Sequence, residues 1–230
     1  YTDVEGVFTA DPRIVEKARL IKEITYDEML EMASSGARVL MARSVEFGRR
    51  YNVPIIVKPT FSEGSGTIVK DKVMEQAIVS GVTHNDKEIK FTLFGVPDQP
   101  GIAGKVFGPL SENGVIVDMI VQNVSKESKT DISFTAPLEQ KSEVENILEN
   151  LSTELEAEGA DSDPNIARVS LIGAGMKAES GIASKMFSIL GENKINIAMI
   201  STSPIRISCV VNKDDMQKAI DSLHKEFIEA

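Results

Sequence analysis

The sequence predicts an α+β protein in which one strand–helix–strand–strand–helix unit occurs twice, after a shorter stretch of different character. Two segments, residues 100–120 (PGIAGKVFGPLSENGVIVDMI) and residues 180–200 (SGIASKMFSILGENKINIAMI), are identical at ten of 21 aligned positions. Unrelated sequences of average composition would match at about one or two such positions. Within each segment, apolar residues first follow a helical period and then alternate as in a strand. The chain therefore contains a duplicated fold.

The elements around each duplicated helix follow the same order. In the first repeat, Asn113-Gly114 ends the helix, because both residue types tolerate the left-handed conformation found there, and Val115 to Met119 alternates like a strand. The second helix of that repeat is predicted to begin at Ser142, in a capping box with Glu145. The remaining strands are predicted at Ile89–Val96, Thr130–Ala136, Ala167–Ile172 and Ile205–Val211, and the last helix from about Asp214 to Phe227.

Each repeat needs one more strand to complete a βαββαβ sandwich. The second repeat reaches Ala230 without one, whereas an unassigned apolar stretch, Gln76 to Thr83, precedes the first repeat. We infer that this stretch completes the second repeat, so that the first repeat is inserted within it. The last strand of the first repeat is expected within Glu156 to Asp161. The predicted bounds are 85–161 for the first repeat, and 71–84 with 162–230 for the second.

Residues 1–70, the N-terminal segment, have a different pattern. A capping box from Thr25 to Glu28 opens a helix that runs through Ala33. Gly36 interrupts it, and a second helix continues to about Tyr51. The sequence then predicts a buried strand at Val53–Lys58 and a flexible joint at Ser62–Thr67. Two helices and a short apolar strand indicate the end of an α/β domain rather than a complete one.

Composition excludes several classes of protein. The chain has 25 Lys and Arg against 35 Asp and Glu, a formal charge of −10, so we expect no binding to nucleic acid. An RNA-binding sheet of the same strand order would need exposed aromatic residues and basic strands. The single cysteine forms no disulfide framework, and no apolar run approaches membrane-spanning length, which indicates a cytoplasmic protein. The sequence begins at Tyr1 within ordered-looking sequence, so we expect a piece of a longer chain.

Two glycine-rich loops are the strongest candidate binding elements. They connect strand to helix in each repeat, at 95–101 and 173–181. Such loops can present backbone N–H groups to a carboxylate or phosphate at the helix N-terminus. The alternative is a tight turn that simply requires glycine. Near the first loop, Asp118 could hold the ammonium group of an amino acid or could be a solvated carboxylate, and Gln122 and Asn196 add polar groups.

Other reactive residue types suggest no further chemistry. Cys209 lies in a strand pattern without a nearby histidine, which favours a packing role. His84 and His224 are isolated in sequence, so we expect no metal site. In the N-terminal segment, Asp11-Pro12-Arg13 could present a guanidinium group to phosphate oxygens, or could be a surface turn.

Taken together, these stretches resemble the aspartate kinase family. YTDVEGVFTADPR is similar to the nucleotide-binding segment of its amino-acid-kinase domain, and EMLEMASSGARVLMARSVEFGRRYNVPIIV is similar to the end of that domain. FGVPDQPGIAGKVF with VDMIVQNVS, and VSLIGAGM with GIASKMF and INIAMISTSPIRIS, resemble its two ACT domains. The resemblance implies tandem ACT domains of ferredoxin-like βαββαβ fold, the first inserted in the second, after the C-terminal fragment of an α/β amino-acid-kinase domain.

The resemblance also implies a function. The family transfers the γ-phosphoryl group of ATP to the side-chain carboxylate of aspartate, with magnesium, at the start of lysine (through diaminopimelate), threonine and methionine biosynthesis. Threonine and lysine bind at ACT–ACT interfaces and inhibit the enzyme. ATP is therefore expected as a substrate, and no resident cofactor or catalytic residue is expected in this chain. The implied partners are a second copy through the ACT domains or a full-length catalytic chain.

Site residues follow from the same resemblance, position by position. The residues expected to contact ATP are Thr2, Asp3, Phe8, Arg13 and Arg38. Those expected to bind threonine are Asp98, Gly101, Ala103 and Gln122 with Asn196 and Ile197, and those of a lysine-type site are Asp118 and Ser203. Pro204 replaces a common Glu, and Glu179-Ser180 replaces a frequent His-Pro, which favours threonine over lysine. The family's Lys-Phe-Gly-Gly-Thr-Ser-type stretch is missing, so we expect no kinase activity from this chain alone. The chain is expected to be either a regulatory portion of the enzyme or a separate regulatory subunit.

Overall fold

The computed structural model describes residues 3–61, 63–73, 77–123 and 128–229. The chain forms two compact units. The larger unit contains residues 1–85 and 167–230, and thus combines the N-terminal segment with the second repeat. The smaller unit contains residues 86–166, which is the first repeat. The predicted domain boundaries at 70/71, 84/85 and 161/162 stay predictions.

The N-terminal segment is a three-stranded sheet with two helices. Thr25 caps the first helix as predicted: its side chain accepts from the Glu28 amide, and the Glu28 carboxylate accepts from the Thr25 amide. The central strand is the last in sequence, parallel to one neighbour and antiparallel to the other. The elements are β1 (Glu23–Thr25), α1 (Tyr26–Ser34), α2 (Ala42–Tyr51), β2 (Ile55–Val57) and β3 (Thr67–Lys70).

Two predictions for this segment need correction. The strand predicted at Val53–Lys58 is shorter, and its middle residue Ile56 is exposed rather than buried. The joint predicted at 62–67 ends in regular structure. Ser62 lies outside the described residues, whereas Thr67 opens β3, is buried, and contacts the chain that precedes β1. Its hydroxyl donates to the Ile21 carbonyl (2.6 Å) and accepts from the Val7 amide (2.8 Å).

The first repeat is an antiparallel four-stranded sheet with two helices. Across the sheet, the strands are the second, third, first and fourth in sequence, so the last strand pairs with the first. Its core holds three aromatic rings, in which Phe134 stacks on Phe91 (5.4 Å) and meets Phe107 edge-on (5.5 Å). The elements are β5 (Glu88–Pro97), α3 (Ile102–Glu112), β6 (Ile120–Gln122), β7 (Lys129–Pro137), α4 (Lys141–Glu154) and β8 (Gly159–Asp163).

Two predicted features of this repeat are wrong. The strand predicted from Val115 begins only at Ile120, where regular pairing with β7 starts. Its alternation was real, because Val115 and Met119 are buried, but burial does not require ladder hydrogen bonds. The capping box at Ser142 is absent because a 3₁₀ turn at Leu138–Gln140 runs directly into α4 and places Ser142 inside the helix. Glu145 instead accepts from the Ser162 hydroxyl (2.5 Å).

The second repeat has the same architecture, and its strands across the sheet are β10 (Met199–Ser203), β11 (Arg206–Asn212), β9 (Ile166–Ile172) and β4 (Gly81–Asn85). Its outer strand β4 comes from before the first repeat and pairs antiparallel with β9, with Thr83 opposite Ser170. The predicted insertion of the first repeat in the second, and with it the fold class, is therefore confirmed. A π-helical turn, Lys225–Glu229, follows the last helix. The elements are β4 (Gly81–Asn85), β9 (Ile166–Ile172), α5 (Ile182–Glu192), β10 (Met199–Ser203), β11 (Arg206–Asn212) and α6 (Met216–His224).

Strand β4 begins at Gly81, later than the stretch predicted from Gln76, which itself lies outside the described residues. The reason is a close approach between two loops. A Cβ on Gly173 would lie 2.1 Å from the Ile78 carbonyl oxygen, and one on Gly175 would lie 2.7 Å from the Ile78 Cα. The chain around Ile78 therefore passes across the loop after β9 before it enters the sheet.

Candidate functional site

The loop between β5 and α3 in the first repeat is open to solvent. Asp98 and Gly101 are exposed, and Ala103 lies half-buried in the first turn of α3. Gly101 caps α3 in a left-handed conformation (φ 89°), and a Cβ there would meet nothing within 4 Å. The loop is fixed at its base, where the Gly95 amide donates to Asp131 Oδ1 (2.9 Å). This geometry leaves an exposed helix N-terminus beside a carboxylate, which suits a small zwitterion.

The polar residues predicted beside this loop are exposed. Asp118 lies just before β6, and its amide donates to the Thr135 carbonyl (3.1 Å). Gln122 ends β6, the outer strand of the sheet. Asn196 is exposed and Ile197 packs against the core of the second repeat, so these two belong to the larger unit. The residues expected to bind threonine are thus divided between the two compact units.

The corresponding loop of the second repeat is used differently. Its last glycine, Gly181, caps α5 with the same φ of 89°. At the start of this loop, however, glycine is required for steric reasons, as in the alternative that the sequence offered. Gly173 and Gly175 pack against the backbone around Ile78 and leave no room for a Cβ. Between them, the Ala174 amide donates to Glu28 Oε1 (3.0 Å). A backbone N–H group of this loop is therefore already bonded to a carboxylate of the protein itself, and it is not free for a ligand.

Glu28 connects the N-terminal segment to the second repeat. Its side chain is 3% exposed, and each of its oxygens accepts two hydrogen bonds. Oε2 accepts from the amide and hydroxyl of Thr25 (3.2 and 2.6 Å), and Oε1 accepts from Ser80 Oγ (2.5 Å) and the Ala174 amide (3.0 Å). The sequence identified the capping role of Glu28 but missed the Ser80 and Ala174 contacts, which come from distant parts of the chain.

Three further contacts hold α1 against the second repeat. Glu31 accepts from Ser203 Oγ (3.2 Å) and forms an ion pair with Arg206 (3.1 Å). Arg168, 1% exposed, donates to the Ser34 carbonyl at the end of the helix (3.1 Å). Ser203, predicted to bind an effector, therefore lies at this junction. It also lines a cleft of about 480 Å³ whose walls include Asp27 and Glu31.

The residues predicted to contact ATP lie along one segment, apart from Arg38. Thr2 is outside the described residues, Asp3 is exposed, and Phe8 bridges to Leu20. Arg13 faces Asp11 through two hydrogen bonds of 3.0 and 2.6 Å, which lower the pKa of the Asp11 carboxyl below its usual range. The turn that the sequence offered as an alternative is present, and a phosphate would have to compete with Asp11 for the guanidinium.

Arg38 is exposed between α1 and α2. The structure does not bring it into a described contact with the segment 3–13. That segment itself packs on the second repeat, which the sequence did not indicate. Ala10 and Val15 are buried in the same core as β9 and α5, and the Val82 amide donates to the Thr9 carbonyl (2.7 Å).

Cys209 and the possibility of a metal site are the remaining candidates. Cys209 is fully buried, and burial raises the pKa of its thiol to about 12, as expected for a packing residue. Between residues 3 and 229, outside the three internal gaps, no group of His, Cys, Asp and Glu is arranged to hold a metal ion. The helices of the same described residues are too short or too polar to cross a membrane.

Comparisons with protein families agree with this architecture. Residues 90–156 and residues 169–227 each match the ACT domain, and residues 1–59 match the amino acid kinase family. The fold and these matches define a class of protein in which tandem ACT domains follow the end of an amino-acid-kinase domain.

Individual relatives narrow this class. Aspartate kinase of Pseudomonas putida is 46% identical over 230 residues, covering 99% of this chain and 56% of the relative. The regulatory subunit of aspartate kinase from Thermus thermophilus is 37% identical with a TM-score of 0.62, covering 65% of this chain and 99% of that one. Aspartokinase III of E. coli, in complex with lysine and aspartate, is 26% identical with a TM-score of 0.78, covering 99% and 51%.

The chain belongs to the aspartate kinase family. It spans about half the length of the curated relatives it matches.

Proposed function

We propose that this chain is the amino-acid-sensing regulatory portion of an aspartate kinase, which transfers the γ-phosphoryl group of ATP to the side-chain carboxylate of aspartate and is inhibited by threonine, lysine or both. The observation that carries the proposal is the buried Glu28 contact between the N-terminal segment and the second repeat. A change in the second repeat would act directly on the stretch from Glu28 that resembles the end of the kinase domain. Such coupling is what feedback inhibition requires.

Threonine is the effector that the first loop supports best. Its carboxylate would accept from the N-terminus of α3 at Gly101 and Ala103, and its ammonium would lie near Asp98. Helix N-termini favour anions, and a carboxylate within a few ångströms favours an ammonium group. The family resemblance adds Gln122, and it assigns Asn196 and Ile197 to the same effector.

Lysine is the second effector, assigned to Asp118 and Ser203. Lysine is present in the complex of the E. coli relative. In this chain, Ser203 lines a cleft that holds two carboxylates, Asp27 and Glu31, and also two cations, Arg49 and Lys177. Both carboxylates already have basic neighbours, because Asp27 pairs with Arg49 (3.0 Å) and Glu31 with Arg206 (3.1 Å). A lysine ammonium would have to share them, which makes lysine the weaker of the two effector proposals.

For catalysis, the chain supplies nucleotide contacts rather than reacting groups. Asp3, Phe8, Arg13 and Arg38, with Thr2, are assigned to ATP by resemblance. Magnesium with ATP would neutralise charge on the phosphates. The described residues contain no cluster that could hold the ion, so we assign it no ligand here. Because the family's Lys-Phe-Gly-Gly-Thr-Ser-type stretch is missing from this sequence, we expect the purified chain to show no aspartate-dependent turnover of ATP, and measurable turnover would overturn this part of the proposal.

Thermal unfolding with threonine and with lysine, titrated separately, tests the sensing function. A ligand at about a hundred times its dissociation constant adds about 2.7 kcal/mol to the free energy of unfolding. We expect Asp98→Ala to abolish the shift caused by threonine. Asp161→Ala, which also removes an exposed carboxylate from the first repeat, should leave that shift unchanged. If neither amino acid shifts the transition of the unmodified chain, the effector assignment is wrong.

A separate regulatory subunit, paired with a full-length catalytic chain, is the second candidate. It is favoured by the match to nearly all of the Thermus thermophilus regulatory subunit. The two candidates predict different assemblies. A separate subunit should co-purify from its natural source with a longer chain that shares this C-terminal sequence, whereas a regulatory portion of one enzyme should be recovered only as part of that longer chain.

A further inference from the structure

A buried histidine at the end of the last helix contacts the segment that the family resemblance assigns to ATP. His224 ends α6 and is 0% exposed. Its Nε2 lies 3.0 Å from Thr9 Oγ1, and its Nδ1 lies 3.1 Å from Glu229 Oε1. Thr9 lies between Phe8 and Arg13, both assigned to the nucleotide. The histidine thus connects the C-terminal end of the second repeat to a segment some 215 residues earlier.

The hydrogen bonds around His224 have a defined direction. Glu229 accepts from Lys17 Nζ (2.8 Å), and this contact, with a smaller one from His224, lowers the pKa of the Glu229 carboxyl. An ionised carboxylate only accepts, so a neutral imidazole at His224 donates from Nδ1 and accepts at Nε2. The Thr9 hydroxyl therefore donates to Nε2, while its oxygen accepts from the Arg19 amide (2.9 Å). The chain of bonds is continuous and satisfied.

Helix α6 also holds the same segment at a second point. Gln217 Nε2 donates to the carbonyl of Ile14, the residue that follows Arg13 (3.1 Å). Next to these two contacts, Ala10 and Val15 are buried in the core of the second repeat, whereas Pro12 and Arg13 between them are exposed. The segment is therefore fixed on both sides of the exposed turn that carries Arg13.

We propose that His224 is a positioning residue that holds the segment around Thr9 in its nucleotide-contacting arrangement, so that movement of α6 on effector binding displaces Arg13. The inference rests on the proposed function. A purely structural role would need only an apolar side chain of suitable size at the end of α6. The His224 side chain instead makes a hydrogen bond to the Thr9 hydroxyl, which an apolar residue could not make.

Hydrogen exchange in the 230-residue chain tests the contact with a matched pair of variants. In His224→Gln the side-chain amide can reach the position of Nε2 and keep the bond to Thr9. In His224→Asn it reaches only the position of Nδ1. We expect exchange at the Thr9 and Val82 amides to rise about fivefold in His224→Asn, the factor expected from the loss of one buried hydrogen bond, and to change little in His224→Gln. Equal exchange in the two variants would overturn the proposal.

A second pair of variants, at Thr9, tests the same hydrogen bond if the His224 variants fail to fold. Thr9→Ser retains the hydroxyl and should behave as the unmodified chain, whereas Thr9→Val should raise exchange as His224→Asn does. Threonine or lysine is then added at saturation. We expect the amino acid to change exchange at Thr9 in the unmodified chain and in His224→Gln, but not in His224→Asn.

The outcomes separate the two claims. If neither amino acid stabilises the unmodified chain, the sensing function fails while the exchange of the variants still reports on the contact. If an amino acid binds and exchange at Thr9 responds equally in His224→Asn and in the unmodified chain, the sensing function stands and the role of His224 is wrong.

Discussion

The two strand–helix loops, residues 95–101 and 173–181, occupy equivalent positions in the two repeats but have different surroundings. Gly101 and Gly181 cap their helices with the same backbone conformation, and both are exposed. In the first repeat the loop before the cap stays open to solvent at Asp98. In the second repeat Ala174 is bonded to Glu28 of the N-terminal segment. The first loop leaves its helix N-terminus open to solvent, whereas the second loop is bonded to the rest of its unit.

The difference extends into the two cores. The alignment of the repeats, through the shared Ile-Ser pairs at 132–133 and 207–208, places Phe134 opposite Cys209. Phe134 belongs to the aromatic cluster of the first repeat, whereas Cys209 packs among aliphatic side chains. The same strand position thus fills its core with different volumes, so equivalent substitutions should have unequal effects in the two repeats.

The largest expected effect is on the reactivity of Cys209. With a pKa of about 12, only about one thiol in 10⁴ is ionised at pH 8, roughly a thousandfold less than for an ordinary cysteine. We expect a thiol reagent at pH 8 to label the native chain extremely slowly and the chain in denaturant at once. Rapid labelling of the native chain would mean that this strand is not packed as described.

The next effect concerns the glycines of the two loops. Gly173→Ala would place a methyl group against the Ile78 backbone, and we expect a loss of about 3 kcal/mol or more in the free energy of unfolding. Gly101→Ala and Gly181→Ala meet no neighbour and carry only the cost of a left-handed backbone, about 1 kcal/mol each. Denaturant unfolding of all three variants measures the difference, and equal losses would contradict the described packing.

Glu28 and Asp98 provide a comparison of carboxylates at the two loops. Glu28→Ala leaves the Ala174 amide and the Ser80 and Thr25 hydroxyls without their buried acceptor, so we expect a loss of about 2 kcal/mol or more. Asp98→Ala removes an exposed side chain and should change stability by less than about 0.5 kcal/mol. If both variants unfold at the same denaturant concentration, the Glu28 contacts do not stabilise the second loop, and its difference from the first loop is not supported.

The smallest effect is the dependence of stability on pH at the C-terminal turn. The folded-state pKa of Glu229 lies below its ordinary value of 4.5, chiefly because Lys17 donates to it. Its stabilising contribution is therefore present above pH 4.5 and is lost as pH falls through the lower folded-state value. We expect the stability gap between the unmodified chain and Glu229→Gln to close in acid. Lys17→Met should reduce that gap at neutral pH, and a gap that persists in acid would contradict the assignment.

Most of the architecture could be predicted because it depends on local patterns. The capping box at Thr25 and the helices of the repeats follow from end signals and periodicity. The position of β4, which precedes the first repeat but completes the sheet of the second, follows from the strand count. The failures have a common cause. Alternation from Val115 reported burial correctly but could not report hydrogen-bond partners, and Ser142 carried a local capping signal that the preceding turn overrode.

The sequence by itself determined the duplication, the fold of each repeat and the family, because these depend on residue types at fixed spacing. Only the tertiary structure decided what each copy of the loop contacts. Glu28 reaches Ala174 across 146 residues, and His224 reaches Thr9 across 215. Such contacts depend on how packed cores bring distant backbone together, and the identity of a glutamate or a histidine does not reveal which distant group it will meet.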